Sequence, residues 1–397
     1  MSEEPTRTGL PGNQEAGPLA AGKSVSERGR NHTEWIDALR GFAAMWVIVF
    51  HSRVALWVGF HDIRNNPGAY SHLDRLLAWL SPPAACGGSA VMLFFLISGF
   101  CIHLPYAASD RPFSLKQYGL RRAFRILPPY LFAVALTCGL EWFAHSLGGQ
   151  SPTPFHQVAR VALLSQNYGS GQLYTNGSLW SLPVEVELYI AYLVVYFLLT
   201  STNRLSTGIV VCVASLIATA AYLSGMDILN DNFLRFWAIW CAGALLADWF
   251  KRKRVPEFKI WNAMVFLIVL AAAIWGEGHH WRSYNWYLGI TAYLWAAVYF
   301  HVIWLALRRP ESIYKFPRWC VSLFVWLGTV SYSAYLIHAP IFVLCGFFWI
   351  RIWGAKPASF LVPLFFSAAI WPLAWVFWKF CEFPFHQLAQ RLAKRNP

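Results

Sequence analysis

A chain of 397 residues that is 57% apolar, 17% aromatic and only 13% charged, with a mean hydropathy of +0.41, has too few charges to cover its apolar surface in water. That excludes an ordinary soluble enzyme and points to a membrane protein with many spans. The net charge of +13 would suggest a nucleic-acid partner in a soluble chain, but here the basic residues sit between apolar runs, where topology accounts for them and no nucleic acid is expected. Eight scattered cysteines with no C-x-x-C pair indicate neither a disulfide framework nor a zinc site, so no metal is expected.

In chain order, residues 1–34 are rich in Gly, Ser, Glu and Arg and lack an apolar signal-peptide core, so they read as a disordered cytoplasmic tail. Apolar runs long enough to cross a bilayer follow near 35–59, 85–106, 125–146, 179–200, 207–224, 232–250, 258–275, 284–307, 320–349 and 358–380. The run near 158–168 is too short and too polar. The expected fold is an all-α integral membrane bundle of about ten transmembrane helices: one domain over 35–380, then a short basic cytoplasmic tail at 381–397. With the N-terminus inside, 22 Lys and Arg residues fall in inner segments, 6 outside and 4 within spans, which places both termini in the cytoplasm. A multi-pass protein of the cell membrane is the implied location.

Several spans carry polar residues that lipid alone would not tolerate. Span 1 reads "DALRGFAAMWVIVFH": at 100° per residue, Asp37, Arg40 and His51 share one helical face, with His51 in the outer half. Before span 3, "LRRAFRILPPY" sets Arg122 and Arg125 one turn apart beside Arg121, a cluster suited to gripping a diphosphate at the inner surface. Within span 3, Glu141 and His145 stand at i and i+4, as a structural pair would. Span 4, "SLWSLPVEVELYIAYLVVY", carries Ser181, Glu185, Tyr189, Tyr192 and Tyr196 on one stripe, with Glu185 expected level with His51; Glu187 lies off that stripe. His279 and His280 read as solvated loop. In span 9, "SYSAYLIHAP" lines up Ser331, Tyr335 and His338, and Pro340 frees local backbone groups.

A histidine near neutrality can take a hydroxyl proton, and a carboxylate can orient it. Joined to an arginine pair on the inner face, it suggests a phosphate-bearing donor in the cytoplasm, such as acyl-CoA, and an acceptor reached from outside.

At these residues the chain resembles the membrane-bound acyltransferase-3 family. The likeness covers residues 35 to about 380 and rests on five motifs in order: "IDALRGFAAMWVIVFH", "MLFFLISGF", "LRRAFRILPPY", "LWSLPVEVELYI" and "VSYSAYLIHAP". It implies a ten-helix fold that moves an acyl group, usually acetyl, from acyl-CoA to a hydroxyl, commonly on a cell-surface or exported glycan or its lipid-linked form. It also implies that His51 is the essential histidine, Arg40 a functional arginine of span 1, and Arg122 with Arg125 the family's R-x-x-R. Val186 stands where a second acidic residue is common, and Ile337 where an aromatic is. Some members append a soluble hydrolase-like domain; the chain's end about 17 residues past span 10 leaves acceptor binding to the membrane domain. The expected roles are therefore His51, Glu185, Arg40 and Asp37 in catalysis, Arg121, Arg122 and Arg125 on acyl-CoA, and Ser181, Tyr189 and His338 on the acceptor. His51 serves either as a base or as an acyl relay. Two other readings stay open: acylation of a small lipophilic acceptor such as a macrolide or lipid headgroup, and a transporter.

Overall fold

The computed structural model describes residues 25–108, 113–169, 171–201, 203–226, 231–278 and 284–395, so most of the expected N-terminal tail lies outside the described residues. The helices are, in order, α1 (Val25–Ala55), α2 (Phe60–Asn65), α3 (His72–Leu80), α4 (Pro82–Ala85), α5 (Ala90–His103), α6 (Leu115–Ser146), α7 (Phe155–Ala162) and α8 (Ser181–Ser201). Then come α9 (Arg204–Leu223), α10 (Phe233–Lys251), α11 (Ile260–Gly278), α12 (Tyr284–Arg308), α13 (Arg318–Trp353), α14 (Leu361–Phe377) and α15 (Phe383–Arg395). No strand occurs among the described residues.

Nine of these helical segments are long and apolar enough to cross a membrane, and they coincide with expected runs two to ten. The first run is helical too, but starts ten residues early, at Val25, and is less apolar because it carries Asp37, Arg40, His51 and Arg53. At the other end, α14 continues through a π-turn (Trp378–Glu382) into α15, so residues 381–395 are helix, packed on α6. On α9 and α11, large side chains such as Leu216, Ile217, Leu267 and Ile268 point outward, an arrangement suited to lipid rather than water.

The centre of the bundle is the parallel pair α1 and α13. A Cβ on Gly41 would fall 2.1 Å from the Phe324 carbonyl oxygen, and one on Gly328 2.0 Å from that of Asp37. Only glycine lets two helix backbones approach so closely. Further along, Pro340 has no N–H to offer the Leu336 carbonyl four residues back, and Asn176 Nδ2 supplies the missing donor at 3.0 Å. That bond also sets where the chain enters α8.

Candidate active site

A cavity of about 90 Å³ lies where α1, α5, α6, α8 and α13 meet. Arg40, Arg122 and Arg125 all line it. Ser114 caps α6 by accepting from Gln117 N at 3.4 Å, and the helix then delivers Arg122 and Arg125 to one face. The Arg122 guanidinium lies over the rings of Tyr189 (5.6 Å) and Tyr118 (5.9 Å), while its buried Nε has no hydrogen-bond partner. Among the described residues, no carboxylate stands within ion-pair distance of Arg122 or Arg125. Arg121 is a correction: about 100° round the helix from Arg122, it is exposed and does not line the cavity.

Arg40 donates through Nη1 to Asp37 Oδ1 at 2.9 Å and through Nη2 to Cys101 Sγ at 3.6 Å. Asp37 is absent from the cavity wall and is joined to it through its ion pair with Arg40. Glu185 accepts from the Tyr189 hydroxyl and, at 3.5 Å, from Ser98 Oγ, which in turn accepts from Trp240 Nε1 at 3.2 Å.

His51 stands further along the seam. Its Nδ1 is 2.9 Å from the Val47 carbonyl, which can only accept, so Nδ1 carries the proton and Nε2 presents a lone pair. His338 repeats the device: Nδ1 donates to the carbonyls of Ala334 (3.1 Å) and Tyr335 (2.8 Å), and its buried Nε2 has no partner. The two imidazole rings are 4.8 Å apart. Tyr335, a turn back on α13, lines the arginine cavity and lies 5.7 Å from the His338 ring, linking the two places.

Two further corrections follow. Glu185 is not brought to His51. The Tyr335 hydroxyl meets Ser181 Oγ at 2.7 Å and the Ser178 carbonyl at 2.5 Å, so Glu185, one turn beyond Ser181, falls on the arginine side of Tyr335. Ser181 and Tyr189 likewise line the arginine cavity, away from the expected acceptor side. His338 is fully buried and touches His51 in place of any open surface.

Glu187 turns away, accepting from Tyr168 Oη at 2.8 Å and Phe233 N at 3.2 Å. In the loop before α8, burial and that carboxylate together push the Tyr168 phenol up, keeping it a donor. Glu141 does not pair with His145: it accepts from Thr153 N (2.8 Å), Thr175 N (3.1 Å) and Thr175 Oγ1 (2.9 Å), tying two loops together. His279 and His280 lie outside the described residues. Sequence reasoning passed over Ser98, Cys101, Asn176 and Glu382. The first two are polar positions at i and i+3 inside an apolar run, which was a readable signal. Glu382, assigned to the tail, is buried in the π-turn and accepts from Ser333 Oγ at 2.6 Å.

The family model described as an acyltransferase domain matches residues 33–379. The chain belongs to that family. The acyltransferase is 25% identical over 349 residues to a putative membrane-bound transacylase, BcsY, of Komagataeibacter xylinus, covering 84% of this chain and 79% of the relative. It is 23% identical over 352 residues to the peptidoglycan O-acetyltransferase OatA of Listeria monocytogenes, covering 81% of this chain but only 51% of that protein, about half its length. An O-acetyl transferase of Shigella phage Sf6 is 26% identical over 263 residues, 61% of this chain and 70% of the relative. No solved structure matches the acyltransferase.

Proposed function

We propose that this multi-pass membrane enzyme transfers an acetyl group from acetyl-CoA, taken from the cytoplasm, to a hydroxyl of a cell-surface or exported glycan. The observation that carries the reading is a seam with two unlike ends. At one end, two arginines without carboxylate partners face a cavity, one of them with a buried, unbonded Nε. At the other, a histidine keeps its Nε2 lone pair free. A guanidinium donor left unmet is what an anionic substrate supplies for. At about 90 Å³ the cavity is too narrow for a nucleotide but suits a slender chain, so the CoA phosphates belong at its mouth with Arg122 and Arg125 and the thioester arm inside, past Arg40.

In the reaction, His51 Nε2 takes the proton of the acceptor hydroxyl as the oxygen attacks the thioester carbonyl. The C–O bond forms, the C–S bond breaks, and the proton on His51 passes to the departing CoA thiolate. The distribution of Lys and Arg supports an inner location for Arg122 and Arg125 and an outer one for the far end of α13. The printed names of the Listeria and phage relatives, both O-acetyltransferases, support acetyl as the group moved.

The test is transfer of acetyl label from acetyl-CoA to glycan in isolated membranes holding the enzyme, against membranes lacking it. Enzyme-dependent label on glycan is expected, and none would sink the reading. For orientation, an impermeant thiol reagent applied to intact cells should reach a cysteine placed at Gly148 and not one placed at Lys253; the reverse pattern would detach the arginines from the cytoplasmic donor.

A further inference from the structure

A second cavity, of about 360 Å³, opens beyond the histidines, and nothing described so far uses it. Ala55, one turn past His51 on α1, and Pro340, two residues past His338 on α13, both line it. The histidine pair therefore stands between this cavity and the arginine cavity, whose α13 wall ends at Tyr335. The volume falls in the range of roughly 300–1,000 Å³ typical of small-molecule sites.

Of the two charged side chains in the wall, Glu141 is held by the protein and Lys356 is held through one of its three N–H groups. Glu141 accepts its three hydrogen bonds from Thr153 and Thr175, and Lys356 Nζ donates to the Val54 carbonyl at 2.9 Å. Tyr174 N is held by Thr153 Oγ1 at 2.9 Å, so the loops forming the rim are pinned before anything binds. What remains for a ligand is the side chains of Gln150, Ser151 and Tyr174, which make no hydrogen bond among the described residues, with Tyr174 57% exposed. The opposite lip is apolar, formed by Val343, Phe347 and Ile350. Neutral hydrogen-bonding groups beside one open aromatic face suit a hydroxyl-bearing ring held at the membrane surface.

We infer that this cavity is the acceptor subsite and that it takes a single sugar ring, presenting one hydroxyl toward His51. The inference rests on the proposed acetyl transfer. A sugar ring, which carries several hydroxyls on one compact frame, satisfies all three free side chains at once.

Two opposite variants test it: Tyr174→Ala removes the platform, and Ser151→Trp fills the space. In isolated membranes with labelled acetyl-CoA, each should lower transfer to glycan about tenfold while leaving the half-saturating acetyl-CoA concentration unchanged, the pattern of a lost acceptor contact in a folded enzyme. Wild-type transfer by both variants would overturn the subsite. Label found on a lipid that contains no sugar, lost in both variants, would overturn the choice of a sugar. Absence of label even with the wild-type chain is a different result, which removes the transfer reaction itself.

Discussion

The two ends of the α1–α13 seam solve opposite problems with the same economy. At the arginine end, positive groups are held by rings and sulfur: Arg122 over Tyr189 and Tyr118, Arg40 against Cys101, with one carboxylate, Asp37, holding Arg40 from the side. At the histidine end, neutral rings are held by backbone carbonyls, Val47 for His51 and Tyr335 for His338, and no charged partner is called on. Among the described residues, the first arrangement leaves the Arg122 Nε–H without an acceptor, and the second leaves the His338 Nε2 lone pair without a donor. Under the proposed reaction, each end is incomplete in the sense its substrate completes: an anion at one, a hydroxyl proton at the other.

The sharpest way to break this contrast is at the histidine. His51→Ala should reduce acetyl transfer by about 10²–10⁴ while protein abundance and acetyl-CoA binding hold, as loss of a general base does. Appreciable transfer by that variant, measured at matched abundance, would remove His51 from the chemistry.

At the other end the effect should appear in donor requirement. Arg122→Ala or Arg125→Ala removes charge-assisted contacts worth about 1.5–3 kcal/mol, and titration with acetyl-CoA should show the half-saturating concentration rising accordingly. Lysine should rescue only in part, because an ammonium lacks the planar fork. An unchanged requirement in both alanine variants would mean that the pair merely anchors the helix.

The seam that joins the two ends can be broken on its own. Gly328→Val would drive a side chain into the Asp37 carbonyl, 2.0 Å from where a Cβ would sit, so a loss of about 1–3 kcal/mol of stability is expected, read as a lower melting temperature in detergent. An unaltered melting temperature would show that the helices can part without penalty.

Glu185→Gln sharpens the comparison, since it asks to which end this carboxylate belongs. Bonded to Tyr189 and Ser98 in the arginine cavity, it should change the acetyl-CoA requirement only a few-fold, by about 0.5–1.5 kcal/mol, and leave the pH profile of transfer in place. A shifted pH profile would return Glu185 to His51. The smallest effect is expected at Arg121, which faces outward: Arg121→Ala should move neither donor requirement nor stability by more than about 0.5 kcal/mol.

Composition and the spacing of apolar runs were enough to give the fold class and nine of the spans, because burial in lipid is a property of each segment taken alone. The shared face of Arg122 and Arg125, and the separate face of Glu187, were legible for a similar reason: helical angle is local. The pairing of Pro340 with a freed carbonyl was half-legible, since the missing donor is written in the residue but its replacement, Asn176, lies 160 positions from that carbonyl, the one of Leu336. What the sequence could not say is which helices slide past one another, and how far. The level of Glu185 relative to His51 depended on where α8 enters the bundle, and that is decided by Asn176, Ser178 and Tyr335 meeting across long separations. The same holds for the His51–His338 pair and for Glu382, buried by a π-turn where a polar tail was expected. Periodicity assigns a side chain to a face of its own helix; only packing, here the backbone contact permitted by Gly41 and Gly328, sets the depth at which two faces meet.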